Sequence, residues 1–316
     1  MSSVAGGPSA GLRRFRRQRW FDAGVEQVAK FWPSLPKCYI CPTCHPRRGF
    51  LPGALAEGLL TDEHAPPKRL GGKIVALTCK ECNTEAGHRY DTHAVARERL
   101  LDFTLGTSDE AIRVQLSQSG ITVNANVTAT RHNVSVVGLP QHNEPGNQEA
   151  WEKSLEHLAD TGSSDHKFNI TFTGARYNHR FALWSYLRSA YLVAFACFGY
   201  SYIYNPALHL VRQQLEVPNE DIIRIYCVTS SELERRGNWL RVVHQPVDLQ
   251  SLLVRMGRHV VFLPWPASSI DIYEALLQRS KTKKRFLESL NGAFLAWPQG
   301  PQHAMDSAII EPATAV

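Results

Sequence analysis

Apolar positions set the first expectations. Phe21, Val25, Val28, Ala29 and Trp32 recur at roughly helical spacing and predict a helix over 12–32, which Pro33 stops. Between 111 and 137 the period falls to two. Ile112, Val114 and Leu116, then Ile121, Val123, Val127, Val134 and Val136, predict strands, with Ser-Gly at 119–120 as a turn. A loop is expected at 140–147, a short helix at 151–158, a turn at 161–165 and a strand at 166–173. Residues 181–198 carry aromatic and alanine faces and read as a buried helix, with Gly199 at its end. A short helix follows at 208–215, ended by Pro218, then strands at 222–228, 239–243 and 259–263, and helical parts within 270–290. Residues 1–11 and the stretch after Pro298 carry no such pattern and are expected to be disordered. There is no internal repeat and no heptad run.

Composition narrows the class. With 43% hydrophobic and 20% charged residues in 316, the chain can bury a real core, and one or two domains are expected. The net charge of +6 is unevenly placed: residues 1–104 hold 16 Lys/Arg against 10 Asp/Glu, and residues 105–316 hold 19 of each. Arg13, Arg14, Arg16, Arg17 and Arg19 fall in the first 20 residues, which contain no acid. Such an arm suits a polyanion, or serves only as a solubilising segment. No membrane span is expected, because the best candidate, 181–200, carries Arg188 near its middle. No apolar run follows the first arginines, so no secretory signal is expected, and an organelle transit peptide is disfavoured because Trp20 continues into a patterned segment. The expected location is the cytoplasm. The charge step and the end of a Cys/His-rich region place a boundary near 104.

The seven cysteines carry the chemistry. Cys38, Cys41, Cys44, Cys79 and Cys82 are clustered in C-x-x-C spacing, while Cys197 and Cys227 are isolated in apolar runs. Two C-x-x-C knuckles with 34 residues between them can present four thiolates to a structural Zn²⁺ in a reducing compartment. Cys38-x-x-Cys41-x-x-Cys44 overlaps two knuckles; Cys41/Cys44 is preferred for its tight Pro-Thr turn, with Cys38 as a spare or packed thiol that remains an alternative ligand.

Between the knuckles stand Thr61-Asp-Glu-His-Ala-Pro-Pro67 and Gly71-Gly72, then Leu77-Thr-Cys-Lys-Glu-Cys-Asn83 and Gly87-His-Arg-Tyr-Asp-Thr-His93. Over about 38–95 this segment resembles the HNH endonucleases, the ββα-metal or His-Me finger nucleases, in their branch with a zinc clamp. The resemblance implies two short strands and a helix, held by a zinc that takes no part in cleavage. It implies His64 as general base, and Glu63 and Asn83 as ligands of a catalytic Mg²⁺ or Mn²⁺. His88, Asp91 and His93 become candidates for a further ligand or a phosphate contact. DNA is the implied substrate, with 5′ phosphate and 3′ hydroxyl products. Phage defence or a mobile element, with other proteins of a multi-component system, is the setting expected by analogy.

The residue chemistry agrees. A neutral imidazole accepts a proton near neutrality, and a carboxylate beside it suits a hard divalent ion. Adjacent strand residues face opposite ways, so Glu63 and His64 share one site only if the strand bends there or the substrate lies between them. Two positions depart from the family: Glu63 stands where Asp is commoner, and Lys73-Ile-Val-Ala76 offers no counterpart to the asparagine that orients the base. Asn83 also reads as a helix N-cap. Arg13, Arg14, Arg16, Arg17, Lys68 and Arg69 are the expected nucleic-acid contacts. Trp20 and the remaining ten histidines are expected to pack or face solvent, and Lys281–Arg285 to form a solvated helix face.

The fold class expected is α+β. A basic arm and helix (1–36) leads into the small zinc-stabilised ββα-metal module (37–104), and a mixed α+β accessory domain (105–316) follows. The alternative is a zinc-ribbon protein that binds nucleic acid without hydrolysis. A protein scaffold using the aromatic helix 181–200 is a third reading.

Overall fold

The computed structural model describes residues 8–44, 47–118, 120–161, 169–174, 176–229, 237–282 and 290–300, and it is a mixed α/β chain of the α+β class. It divides into two units, one of 1–91 with 180–316 and one of 92–179.

The first unit begins with helix α1 (Pro8–Phe31), which turns Trp20, Phe21 and Val28 inward. Gly24 lets the helix close on Tyr39, since a Cβ there would lie 2.4 Å from the tyrosine ring. Strands β1 (Tyr39–Ile40) and β2 (Gly49–Phe50) pair antiparallel, as do β3 (Leu60–Ala65) and β4 (Lys73–Cys79). Helix α2 (Lys80–Ala86) starts directly from β4, and a π turn (Gly87–Asp91) follows it.

The second unit holds α3 (Thr92–Thr104), β5 (Ile112–Gln118), β6 (Ile121–Ala129), β7 (Val134–Gly138), α4 (Pro145–Thr161) and β8 (Asn169–Phe172). Its antiparallel sheet runs β7-β6-β5-β8. The alternating residues Ile112, Val114, Leu116, Val123, Ala125 and Val127 line one face and pack with Phe103 and Trp151. Period-two patterning thus produces a half-buried sheet.

The chain returns to the first unit at α5 (His179–Phe198), followed by α6 (Tyr200–Ile203) and α7 (His209–Glu216). The positive φ of Gly199 ends α5. Length and composition alone would let α5 cross a membrane, contrary to the sequence expectation, yet 89% of its apolar window is buried inside the protein. A five-stranded antiparallel sheet runs β13-β10-β11-β12-β9, from strands β9 (Cys227–Thr229), β10 (Trp239–Gln245), β11 (Ser251–Met256), β12 (His259–Pro264) and β13 (Asn291–Leu295). Between β12 and β13, α8 (Ile272–Thr282) packs on β12.

Several expectations differ from this arrangement. The step at 104 is not where contacts divide the chain; the divisions fall at 91/92 and 179/180. Charge and cysteine density mark surface and ligands, whereas apolar burial decides grouping, and α5 buries against Tyr90 and β3 of the first unit. The expected strand at 222–228 shortens because Ile223 N–H donates to Gln214 Oε1 at 3.0 Å and draws that segment onto α7. The sequence predicts no strand at β11, where alternation is absent and Arg255 cuts the apolar run to Leu252–Val254; β12 is buried as fully, but its run Val260–Leu263 is longer and stops at Pro264. Residues 8–11, expected to be unstructured, lie in α1. Expectations for residues 1–7, His45, Ser119, 162–168, 283–289 and 301–316 fall outside the described residues.

Candidate functional site

The cysteines come together as the spacing required. The sulfurs of Cys41, Cys44, Cys79 and Cys82 all lie within 4.8 Å of one another, with Cys44 Sγ 3.5 Å from Cys79 Sγ and 3.6 Å from Cys82 Sγ. Four thiolates about 2.3 Å from one zinc would be separated by about 3.8 Å, so the tetrad can hold a metal ion such as zinc. The Cys41–Cys44 turn is closed by Cys44 N–H on Cys41 O, and Cys79 N–H donates to Cys41 Sγ at 3.3 Å. Cys79 ends β4 and caps α2, its sulfur accepting from Cys82 N–H at 3.4 Å. Burial pushes the Cys41 thiol up, but the thiols of Cys44, Cys79 and Cys82 bond to it and hold it well below its ordinary value. Cys38 stands apart from the tetrad, its thiol raised by burial and its sulfur facing Gly49.

The hairpin of β3 and β4 carries the Glu-His pair. Its turn needs Gly72, where a Cβ would meet Pro66 O at 1.5 Å, and Gly71, whose φ is 79°. Register slips between Glu63 and His64, which pair with Ala76 and Ile74, leaving Val75 as the extra residue of a bulge. The extra residue stands on β4, so the irregularity lies across from the dipeptide and not within β3. His64 is half-buried, and burial lowers its pKa. Glu63 and Asp62 oppose that shift, while Lys68 and Arg13 reinforce it.

Glu63 is turned inward, 3% exposed, and its Oε2 accepts from Arg188 Nη2 at 2.6 Å and from Thr78 Oγ1 at 2.8 Å. Burial works against the Arg188 charge, but Glu63 and Asp91 outweigh it and hold the guanidinium charged. Asp91 accepts from Ser185 Oγ at 2.6 Å, and burial raises its carboxyl to about 6. Asn83 is not the N-cap of α2, a place taken by Cys79. Its Nδ2 donates to Thr61 Oγ1 at 2.9 Å and Asp62 O at 3.0 Å, tying helix to strand. His88 is exposed on the π turn, and Lys68 and Arg69 are exposed beside the hairpin turn. His93 belongs to the 92–179 unit, where its Nδ1 accepts from Asn178 N–H at 3.1 Å.

The arginine arm is not free. Asp62, 8% exposed, receives Arg13 Nε at 2.8 Å, Arg17 Nε at 3.2 Å and Arg16 Nη2 at 3.8 Å. Arg17 also donates to Leu60 O. Trp20 packs, 4% exposed. Sequence reasoning missed Arg188, Thr78, Ser185 and Asp62. Arg188 left a signal: a cation in the middle of an apolar helix must find a buried partner.

Glu63 is occupied by Arg188, and among the described residues the tetrad is the only group of three or more His, Cys, Asp or Glu close enough to share an ion. In comparisons with known proteins, no family model, no curated protein and no solved structure matches this chain.

Proposed function

We propose that residues 60–86 form the centre of an HNH-type endonuclease that hydrolyses DNA phosphodiester bonds. The observation that carries the reading is the position of His64. It stands at the register slip of a hairpin whose second strand runs into α2, with the cysteine tetrad at that junction and Asn83 bonded back to the carbonyl of Asp62.

In this reading His64 is uncharged at neutral pH and takes the proton of a water attacking the phosphorus. The P–O3′ bond breaks, giving a 5′ phosphate and a 3′ hydroxyl that takes its proton from solvent. Arg13 and Lys68, whose charges reach the His64 ring, stand where they can attract the phosphate. Asn83 fixes the height of β3 against α2. The tetrad ion supports this frame and takes no part in the cut. A Mg²⁺ or Mn²⁺ ion on Glu63 and Asn83 does not fit the donor set, because Glu63 is spent on Arg188.

That occupied carboxylate favours a second reading, a zinc-ribbon module that binds nucleic acid without cutting it. Incubating the purified protein with plasmid, with and without Mg²⁺ or Mn²⁺, separates the two. Nicking that His64→Ala abolishes while bound zinc is retained supports the nuclease. DNA retention without nicking under every condition supports the binder and sinks the nuclease.

A further inference from the structure

Beside α1 lies an open cleft of about 780 Å³, lined by Arg13, Arg14, Arg17, Phe21, Leu55 and Ala56. None of its described lining residues is acidic. Its volume is in the range of small-ligand sites. Its lining is part cationic and part apolar, so it suits a ligand with an anionic end and a weakly polar body.

Asp62 gives the cationic part its order. Its buried carboxylate pairs with Arg13 and Arg17 from below, so the two guanidiniums are held in place before any ligand arrives. Arg14 stands outside that cluster and is exposed. The carboxylate offsets one positive charge among the arginines around it, which leaves the lining net cationic. Arg13 belongs both to the cavity and to the surroundings of His64.

We propose that this cavity seats one nucleotide of a single-stranded nucleic acid, its phosphate on Arg13, Arg14 and Arg17 and its base against Leu55 and Ala56. A base enters such a seat only after leaving the duplex stack, so single strands bind better than paired ones. The inference rests on the nucleic-acid reading above but not on hydrolysis.

The test is binding of a labelled thymidylate strand to the full chain, followed by fluorescence anisotropy across a salt series without added divalent ion. Arg14→Glu should weaken binding about tenfold and reduce the slope of log affinity against log salt by about one. Ala56→Trp, which fills the cavity without changing charge, should weaken binding by a similar factor and leave the slope unchanged. A duplex of the same length should bind more weakly than the strand. Wild-type affinity in both variants overturns the proposal, even if the plasmid is cut in a His64-dependent way. Loss in both variants with no cutting at all keeps the cavity and removes the nuclease. Thymidine monophosphate competing as well as the strand would overturn the assignment to a strand in favour of a free nucleotide.

Discussion

Arg188 Nη2 lies 2.6 Å from Glu63 Oε2, and each side chain is 4% exposed. The pair ties the middle of α5 to the strand that carries His64. Removing one partner leaves an uncompensated charge in the interior, so Glu63→Gln or Arg188→Met alone should cost about 3–5 kcal/mol in urea unfolding. The double variant Glu63→Leu with Arg188→Met should recover most of that loss. If each single variant unfolds like the wild type, the pair is not the strut described here. Activity of a Glu63 variant is informative only beside its stability.

The tetrad should hold a single zinc per chain by elemental analysis. Cys44→Ser and Cys82→Ser should each lose it, while Cys38→Ser, whose sulfur faces Gly49, should retain it. Stripping the ion with a strong chelator should lower the melting temperature of the wild type but not of Cys82→Ser. A protein as isolated with no transition metal, or one in which Cys38→Ser loses it, contradicts the ligand set.

His64 should set the acid limb of any cutting activity. Because burial lowers its pKa from 6.5, the rate should fall at a pH below that of free imidazole. A limb at or above that value would mean that another group is the base. His64→Ala should abolish nicking without changing the melting temperature by more than a few degrees.

Asp91 should leave a mark on stability. Its carboxyl is raised from 3.8 to about 6, so the folded state holds its proton more tightly than the unfolded one between those values. Stability from this group is present below pH 4 and is lost as pH rises to about 6. A shift of about two units corresponds to roughly 3 kcal/mol. Asp91→Asn should flatten that portion of the stability curve. If the variant keeps the wild-type slope, a different carboxyl is responsible.

The sequence made some of this legible and hid the rest for physical reasons. Paired cysteine spacing foretold the tetrad because ligand spacing is a local property, and the turn between Cys41 and Cys44 is written in four consecutive residues. Strict alternation located β5 and β6 because one face of that sheet meets a core and the other does not. Strand β11 shows no alternation, and Arg255 breaks its apolar run, whereas the equally buried β12 was legible from the unbroken run Val260–Leu263. The partner of Glu63 lies 125 positions away, on a helix whose single internal cation was read only as an obstacle to membrane insertion. Likewise the sequence assigns the arginines of α1 to a polyanion or to solvent because nothing in their own neighbourhood names Asp62, 45 to 49 positions further on, as what gathers them.

Cys79 has two occupations, as a member of the tetrad and as the first stop of the helix that bears Asn83. Oxidising that sulfur into a disulfide would therefore do more than release an ion. It would unseat the start of α2, slacken the two bonds from Asn83 to β3 and let the imidazole of His64 drift, so a reducing milieu is a condition of the fold at this spot as much as of its metal.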